Sequence, residues 1–370
     1  MLLYIYDENM ILQGVVEKII SLIWRRKFWN VGEFKMLVPF TPQHRKFLQK
    51  NNIIMKQKDN EAAQIDYIHI QKNIRGVEEI EVHGKFITNW MDKRIVLNQI
   101  TTTDTLPNIM ERQIRENMTS PTDPKRLIPN VELMHQTISR PKNEYSSEPF
   151  INLLRSVTDL SKATKIGFRM ITDVKTRKHS LILYEGRDFT ADQKENPPCI
   201  FSQEFDNVVK QTFTNSVENY KNVAYVGGEE KQDTARQVEE VGEDASGLAR
   251  DEIFVNATDI TTEYTEDGVQ HTIPPAEYTA MLRQRGKQEL RQHPETLSFD
   301  SSVYPHGNLI YRKDYDLGDR VTCVNKDWGV KINVRITEIA EVYQKNEENI
   351  EITFGEGLPS LTDKLRRRTN

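Results

Sequence analysis

Two segments near opposite ends of the chain alternate apolar and polar residues at every second position. The apolar positions are Phe34, Met36, Val38 and Phe40 in the first segment and Val330, Ile332, Val334 and Ile336 in the second. A period of two places such side chains on one face of an extended strand, whereas an amphipathic helix repeats every three or four residues. Both ends of the chain are therefore predicted to form strands that are buried on one face.

Shorter strand patterns flank these two segments and are separated by turn residues. They are Ile11–Trp24, Gln64–Ile70 and Glu78–Val82 towards the N-terminus, and Arg320–Val324 and Ile350–Phe354 towards the C-terminus. Gly318 and Gly329 punctuate the C-terminal strands, and we expect Gly318 to permit the turn that starts the last group of strands. Together these patterns predict a small antiparallel barrel at each end of the chain.

The middle of the chain carries helical patterns between proline-rich and polar loops. Helices are predicted over Pro107–Met118, Pro149–Leu160 and Ala276–His293. A strand over Asn222–Val226 stops at Gly227 and Gly228, where we expect that a side chain does not fit. The acidic stretch Glu229–Asp251 lacks apolar periodicity and is predicted to be a solvated, mobile loop.

These patterns predict a strand-rich α+β fold, with two small antiparallel β-barrel domains and α+β domains between them. The predicted order is an N-terminal barrel-like domain, an α+β domain with proline-rich loops, an α+β domain with the acidic loop, a C-terminal barrel-like domain and a basic tail. Their bounds are 1–100, 101–200, 201–296, 297–360 and 361–370.

Charge and composition exclude several classes of protein. Lys and Arg number 50 against 55 Asp and Glu, and this net charge of −5 argues against a protein that mainly grips the nucleic-acid backbone. No apolar run reaches the length of a membrane span, and we expect no secretory signal and therefore synthesis in the cytosol. Cys199 and Cys323 are too few for a disulfide framework and are predicted to be small apolar residues. The basic run Arg25–Lys27 is predicted to be a solvated surface.

Motifs that carry chemistry are mostly absent from the sequence. The eight histidines form no HExxH or His-x-His pair, and there is no phosphate-binding loop, nucleophile elbow or dinucleotide fingerprint. Adjacent carboxylates occur at Asp314/Asp316, Glu78/Glu79 and Glu229/Glu230, which a chain with 55 acidic residues supplies by chance. We therefore predict no catalytic residues, no cofactor and no metal, and we expect 314–319 to form a tight turn.

Several segments resemble the Tal-like tail-tip family, the baseplate hub proteins of long-tailed phages with non-contractile tails and of prophages. The segments span nearly the whole chain, and each is structural rather than catalytic in character. They are Ser21–Trp29 with Gly32–Phe34, Tyr184–Asp188, Asn196–Pro197, Phe201–Ser202, Tyr220–Glu229, Asp314–Val321, Trp328–Val330, Arg335–Glu338 and Thr353–Gly355. The sequence departs from the family pattern at Asp188-Phe189-Thr190, where a basic residue is more usual after the aspartate.

This resemblance implies a virion protein that has a structural role and is no enzyme. It implies a homotrimer in which three chains present six barrels around a channel, matching a sixfold tail ring. The implied partners are a distal tail (Dit-like) ring protein, the tail tube or tape-measure protein, and receptor-binding or tip proteins, with DNA only passing through the channel. Gly227, Gly228, Gly318 and Gly329 are then expected to serve folding and assembly.

Two alternative functions stay open on the sequence. One is a peptidoglycan-degrading tail lysin, which needs two carboxylates facing each other across a cleft. Some family members continue into a peptidoglycan-cleaving domain after the last barrel, and we expect no such domain here. The other is a carbohydrate-binding adhesin, for which Trp328, Trp90 and Tyr304 are the candidate stacking residues.

Overall fold

The strands predicted at the two ends of the chain are present, and they belong to one sheet. The computed structural model describes residues 1–72, 76–147, 150–231, 235–266, 269–304, 307–344 and 347–355. Within these residues the strands are β1 (Leu3–Tyr6), β2 (Leu12–Val16), β3 (Ser21–Lys27), β4 (Glu33–Pro39), β5 (Ile53–Lys56), β6 (Ala62–Lys72), β7 (Glu78–Phe86), β8 (Thr101–Thr105), β9 (Val131–Met134), β10 (Lys142–Ser146), β11 (Gly167–Asp173), β12 (Lys178–Tyr184), β13 (Ile200–Ser202), β14 (Val208–Ser216), β15 (Val223–Gly227), β16 (Val238–Gly242), β17 (Glu252–Asn256), β18 (Glu263–Glu266), β19 (Val269–Thr272), β20 (Thr296–Val303), β21 (Arg320–Asn325), β22 (Val330–Gln344) and β23 (Glu347–Gly355).

The helices are few and lie between the strand-rich ends. They are α1 (Pro42–Phe47), α2 (Leu106–Ile114), α3 (Leu153–Thr164) and α4 (Pro275–Leu290), and a π-helical turn, Arg115–Thr119, extends α2. Thr105 and Asn152 cap α2 and α3 by accepting backbone N–H bonds, which satisfies donors that a helix start leaves free. The three helices predicted from the sequence are confirmed, although α3 begins at Leu153, after the predicted start.

The large sheet has the strand order β14-β20-β23-β22-β3-β4-β7-β6-β5-β1-β2, and β21 and β13 extend it from β22. Strands β1 to β7 wrap around one apolar core that includes Trp24, Phe34 and Phe86. Strands β13, β14 and β20 to β23 surround a second core that includes Phe201 and Phe354. We call these the N-unit and the C-unit, and antiparallel pairing of β3 with β22 joins them.

The strand-rich α+β class is confirmed, whereas the two-barrel arrangement is not. Among the described residues, backbone pairing leaves the large sheet open between β14 and β21. Side chains bridge that gap, because Asn325 donates to the Gln211 side-chain oxygen at 2.8 Å and Gln211 donates to the Val324 carbonyl at 3.3 Å. The predicted basic tail, 361–370, lies outside the described residues.

Two further sheets carry the α+β parts. Strands β9, β11 and β12 pack with α2 and α3 around a third core. Strands β15, β16 and β17 pack on α4, whose buried side chains include Tyr278 and Leu282. The prediction of a loop over the whole acidic stretch was wrong, because β16 pairs with β15 in register from Val238 to Gly242. Val241 packs into the α4 core, Glu239 on the same face pairs with Arg283 of α4 at 3.0 Å, and Glu240 is exposed, so a single buried apolar residue anchors this strand.

Candidate functional site

A groove of about 1270 Å³ lies over the polar face of the C-unit, between the sheet, α3 and the end of α4. Directly opposed residues on neighbouring strands share a face, so the pairing register fixes the groove floor. One row across β3, β22, β23, β20 and β14 consists of Lys27, Glu338, Thr353, Asp300 and Thr212. All five side chains line the groove, which makes this row its polar floor.

Two carboxylates of the floor have environments that favour their neutral forms. Burial raises the pKa of Asp300, and a hydrogen bond with Thr353 offsets this only in part. Burial also raises the pKa of Glu338, although Lys27 and Arg25 act in the opposite direction. Asp300 and Glu338 flank Thr353, so their Cα atoms are about 10 Å apart, two strand spacings. A carboxyl group with a raised pKa can serve as a general acid when a second carboxyl group nearby stays ionised.

The walls of the groove carry mostly basic side chains. Arg155, Lys162 and Lys165 project from or just beyond α3, and Arg291 follows α4. The Lys165 ammonium lies 4.9 Å from the centre of the Trp29 ring, so this aromatic face is already covered by a cation. The groove therefore offers hydrogen-bonding and charged groups and little free aromatic surface.

A buried ionic network, which we call the seam, holds the N-unit against the C-unit. Arg26 on β3 is 3% exposed and donates two hydrogen bonds to Glu61, at 2.7 and 2.9 Å. The same guanidinium donates to Asp316 at 2.7 Å and to the Tyr311 hydroxyl at 2.8 Å, both in the connection between β20 and β21. Burial alone would lower the pKa of Arg26, but Glu61, Tyr311 and Asp316 together outweigh it and raise that pKa well above its usual value.

The other half of the seam contains ion pairs of both senses, one with its cation in the C-unit and one with its cation in the N-unit. Arg312 of the C-unit donates to both oxygens of Asp59, at 3.1 and 2.7 Å. Lys56 of the N-unit binds Glu341 on β22, whose carboxylate also accepts from the Tyr343 hydroxyl at 2.7 Å. Burial would raise the pKa of Asp59, but Arg312 and Lys56 lower it overall. Buried charges are tolerated only when they are paired, so the seam fixes the two units in one arrangement.

The sequence profile of the family described as Siphovirus ReqiPepy6 Gp37-like protein matches residues 2–356. The chain belongs to this siphovirus tail protein family. The match covers every strand of both units, and with them the groove floor and the seam of the tail protein. The resemblance drawn from the sequence segments is therefore confirmed at the level of the phage tail protein family.

Solved tail proteins share the fold of this tail protein along its whole length. A tail protein from Neisseria meningitidis MC58 gives a TM-score of 0.56 at 11% identity, over 96% of each chain. The 43 kDa tail protein of prophage MuSo2 from Shewanella oneidensis gives 0.57 at 10% identity, over 96% of this chain and 98% of that one. Prophage tail protein gp18 from Listeria monocytogenes EGD-e gives 0.53 at 13% identity, over 99% and 98%. The comparison with curated proteins finds no match.

The four glycines singled out in the sequence lie at three separate places in the tail protein. Gly227 ends β15, and Arg236 donates to the carbonyl groups of Gly227 and Gly228 at 2.7 and 2.8 Å. A Cβ atom on Gly228 would lie 2.2 Å from the Tyr278 hydroxyl. Gly318 has a φ of +94° and lies where a Cβ atom would be 2.4 Å from the Phe28 ring, and Gly329 has a φ of +64° in the β21–β22 turn. Their roles in folding and assembly stay predictions.

Of the three aromatics considered for sugar stacking, Trp90 does not fit that role. Its ring is buried against His179, and its indole N–H donates to the Gln64 side chain at 3.0 Å. Trp328 and Tyr304 are exposed. The prediction for the two cysteines is confirmed, because Cys199 and Cys323 are buried in the C-unit core.

The prediction of a solvated surface for the basic run was wrong at Arg26, which the seam buries. No sequence motif indicates this, since Glu61, Asp316 and Tyr311 lie 35 to 290 positions away. No sequence motif indicates that Asp300 and Glu338 share a surface either, because only the strand register through β23 brings them together. Within the described residues, no group of His, Cys, Asp and Glu side chains has the arrangement of a metal site, and no helix there is long and apolar enough to cross a membrane.

Proposed function

We propose that this chain is the structural baseplate hub of a phage or prophage-derived tail. In this role, copies of the chain form a trimeric ring that joins the tail tube and the distal tail ring to the tail tip. The observation that carries the proposal is the family match over 2–356, together with a fold that follows solved tail proteins over almost their entire length. The role is structural, and the protein resides in the virion.

The seam supports this proposal on physical grounds. A hub must transmit load between the tube and the tip, so its two strand-rich units must not move independently. The continuous sheet across β3 and β22 and the ion pairs Arg26–Asp316 and Arg312–Asp59 make one rigid piece of the two units. Three copies would then offer six barrel-like units, which matches a sixfold neighbour.

The partners in this proposal are neighbouring tail components. They are a distal tail (Dit-like) ring protein, the tail tube or tape-measure protein, and receptor-binding or tip proteins. DNA would pass through the central channel without specific binding, which accords with a net charge of −5.

Immunogold labelling of intact tails tests the placement. An antibody against this chain should label only the distal tip of tail particles in negative-stain electron microscopy. Native mass spectrometry of the purified chain should give the mass of three copies. Labelling along the tube would refute the hub role. The hub role would also be refuted if intact particles carry no label and their denatured proteins fail to bind the antibody.

A peptidoglycan-degrading activity is the second candidate, and the carboxylate pair in the groove is the observation that favours it. Inverting glycosidases use one carboxyl group as the acid and a second, ionised one as the base, and Asp300 and Glu338 lie on the same face of the floor, two strand spacings apart. The purified protein would then clear peptidoglycan, and Asp300→Asn or Glu338→Gln would abolish clearing. Glu351→Gln is the matched control, because Glu351 lines the same groove and lies on β23 two residues before Thr353. Absence of clearing by the wild type removes this candidate and leaves the hub proposal intact.

A further inference from the structure

The last described residue lies in the groove over the C-unit. Gly355 ends β23 and lines the groove, and fifteen further residues, 356–370, follow it in the sequence. The groove floor crosses five strands from β3 to β14, which is four strand spacings or about 19 Å. Fifteen residues measure about 22 Å as a helix and about 50 Å when fully extended. The 356–370 segment therefore starts at the groove and is long enough to cross its floor.

The sequence of the 356–370 segment is amphipathic and basic. Leu361 and Leu365 are four residues apart, the spacing of one helix face. Ser360 and Asp363 have the spacing of a capping box, which favours a helix start. Four of the five residues from 364 to 368 are cations, namely Lys364 and Arg366–Arg368. A helix this short is marginal by itself in water, so it requires a surface that covers its leucines and pairs its charges.

The groove floor holds two half-buried carboxyl groups, Asp300 and Glu338, that have no ion-pair partner among the described residues. Asp300 bonds to the side chain of Thr353, which is uncharged. Lys27 is opposite Glu338 in the strand register, but its ion pair is with Glu33 at 3.3 Å. The 356–370 segment continues from β23, the strand that lies between these two carboxyl groups. Its cations can supply the counter-charges that half-buried carboxylates require.

The groove walls complement the rest of the segment. Leu154 and Ala163 of α3 are partly buried and line the groove, so they offer apolar surface to the leucines. Lys162 of α3 is exposed in the groove and has no ion pair within the described part of the chain. The segment carries two acids, Glu356 and Asp363. The wall cations therefore orient the segment, because they attract its acids and repel its arginines towards the floor.

The covalent link favours the chain's own segment over a free ligand as the occupant of the groove. A segment joined by a short flexible linker meets its site at an effective concentration in the millimolar range. A contact with a Kd of only about 0.1 mM would then be about nine-tenths occupied. A free peptide or glycan of the same affinity must reach a millimolar concentration in solution to compete.

We propose that residues 356–370 fold back across the groove of the same chain and cover Asp300 and Glu338. The arginines of the segment lie over these carboxyl groups, and its leucines pack against α3. A ligand then enters the groove only by displacing the segment, which at nine-tenths occupancy weakens its binding about tenfold. The proposal does not depend on the hub role, which tip labelling tests separately.

Limited proteolysis of the full chain tests whether the floor carboxyl groups hold the segment. Trypsin cuts after Lys and Arg, so the cleavage rate within 364–368 reports how often the segment leaves the groove. The double variant Asp300→Asn/Glu338→Gln should be cut about tenfold faster than the wild type at these sites, because it frees a segment that is about nine-tenths bound.

The matched control for the proteolysis is Glu8→Gln/Glu17→Gln. It removes the same charge from two exposed positions outside the groove and should be cut at the wild-type rate. Circular dichroism melting of both double variants separates release of the segment from unfolding. Equal cleavage rates in the wild type and both variants overturn the proposal.

Crosslinking tests whether the segment lies in the groove of its own chain. Thr362→Cys in the segment should join Thr212→Cys, exposed on the groove floor, through a short bismaleimide within one chain. Lys175→Cys, exposed in the turn between β11 and β12, is the matched control and should not join Thr362→Cys. The native cysteines do not interfere, because burial raises the pKa of Cys199 to about 12 and raises that of Cys323 as well. Equal crosslinking at both positions, or crosslinks only between chains, overturns the proposal and leaves the hub role standing.

Discussion

Replacing Arg26 with methionine should destabilise the protein by about 3–5 kcal/mol. The guanidinium makes four hydrogen bonds, two to Glu61 and one each to Asp316 and Tyr311, at 2.7 to 2.9 Å. Methionine fills a similar volume but leaves the buried carboxylate of Glu61 without a counter-charge. The cost therefore reflects mainly an uncompensated buried charge within the N-unit, and the lost bonds to Asp316 and Tyr311 also weaken the junction with the C-unit.

Guanidinium chloride unfolding followed by tryptophan fluorescence measures this cost. Arg25→Met is the matched control, because Arg25 precedes Arg26 on the same strand but its side chain is 36% exposed and reaches Glu33 only at 3.9 Å. Exposed pairs contribute about 0–1 kcal/mol, so this control should remain close to the wild type. Adding Glu61→Leu to Arg26→Met should restore most of the loss, since it removes the stranded charge. Equal effects of Arg25→Met and Arg26→Met, or additive losses in the double variant, would refute the reasoning.

Two further perturbations have expected outcomes that follow from single sites. Burial lowers the pKa of His179 to about 4, so the stability from its neutral ring is complete above about pH 6.5 and is lost as the pH falls towards 4. The loss of unfolding free energy should reach about 3 kcal/mol in the wild type and be absent in His179→Leu. If the urea midpoints of the wild type and of His179→Leu change equally with pH, this expectation is contradicted. Gly318→Val should lower the melting temperature far more than Gly329→Ala. Both glycines have positive φ, but only at Gly318 would an added Cβ atom clash with a ring, that of Phe28. Matching melting temperatures would argue against that contact.

Local patterns in the sequence predicted the secondary structure well, for identifiable reasons. The apolar residues of Gly32–Phe40 and Val330–Ile336 alternate because each strand has one face on a core, and β4 and β22 occupy these segments. Helices α2, α3 and α4 likewise lie within or close to their predicted ranges, because their apolar faces repeat with the helical period. Such patterns depend only on near neighbours in the chain.

These local patterns do not predict which distant segments of the chain contact each other. The acidic run looked like a loop because Val241 is its single buried apolar anchor, and a single residue has no period. Arg26 looked exposed because a basic run usually is, and only the fold brings Glu61 and Asp316 to it. The groove carboxylates Asp300 and Glu338 were not predicted, because they lie on two strands that each pair with Thr353 on a third strand.

The sequence by itself determined the α+β class and the positions of most elements, because alternation, helical periodicity and turn residues are local signals, and the resemblance of its segments to known tail proteins indicated the family. Only the tertiary structure decided that the N-unit and the C-unit share one sheet and that buried ion pairs join them. Strand partners and registers are chosen by the packing of whole faces and by the need to pair every buried charge. Both depend on segments that lie hundreds of residues apart.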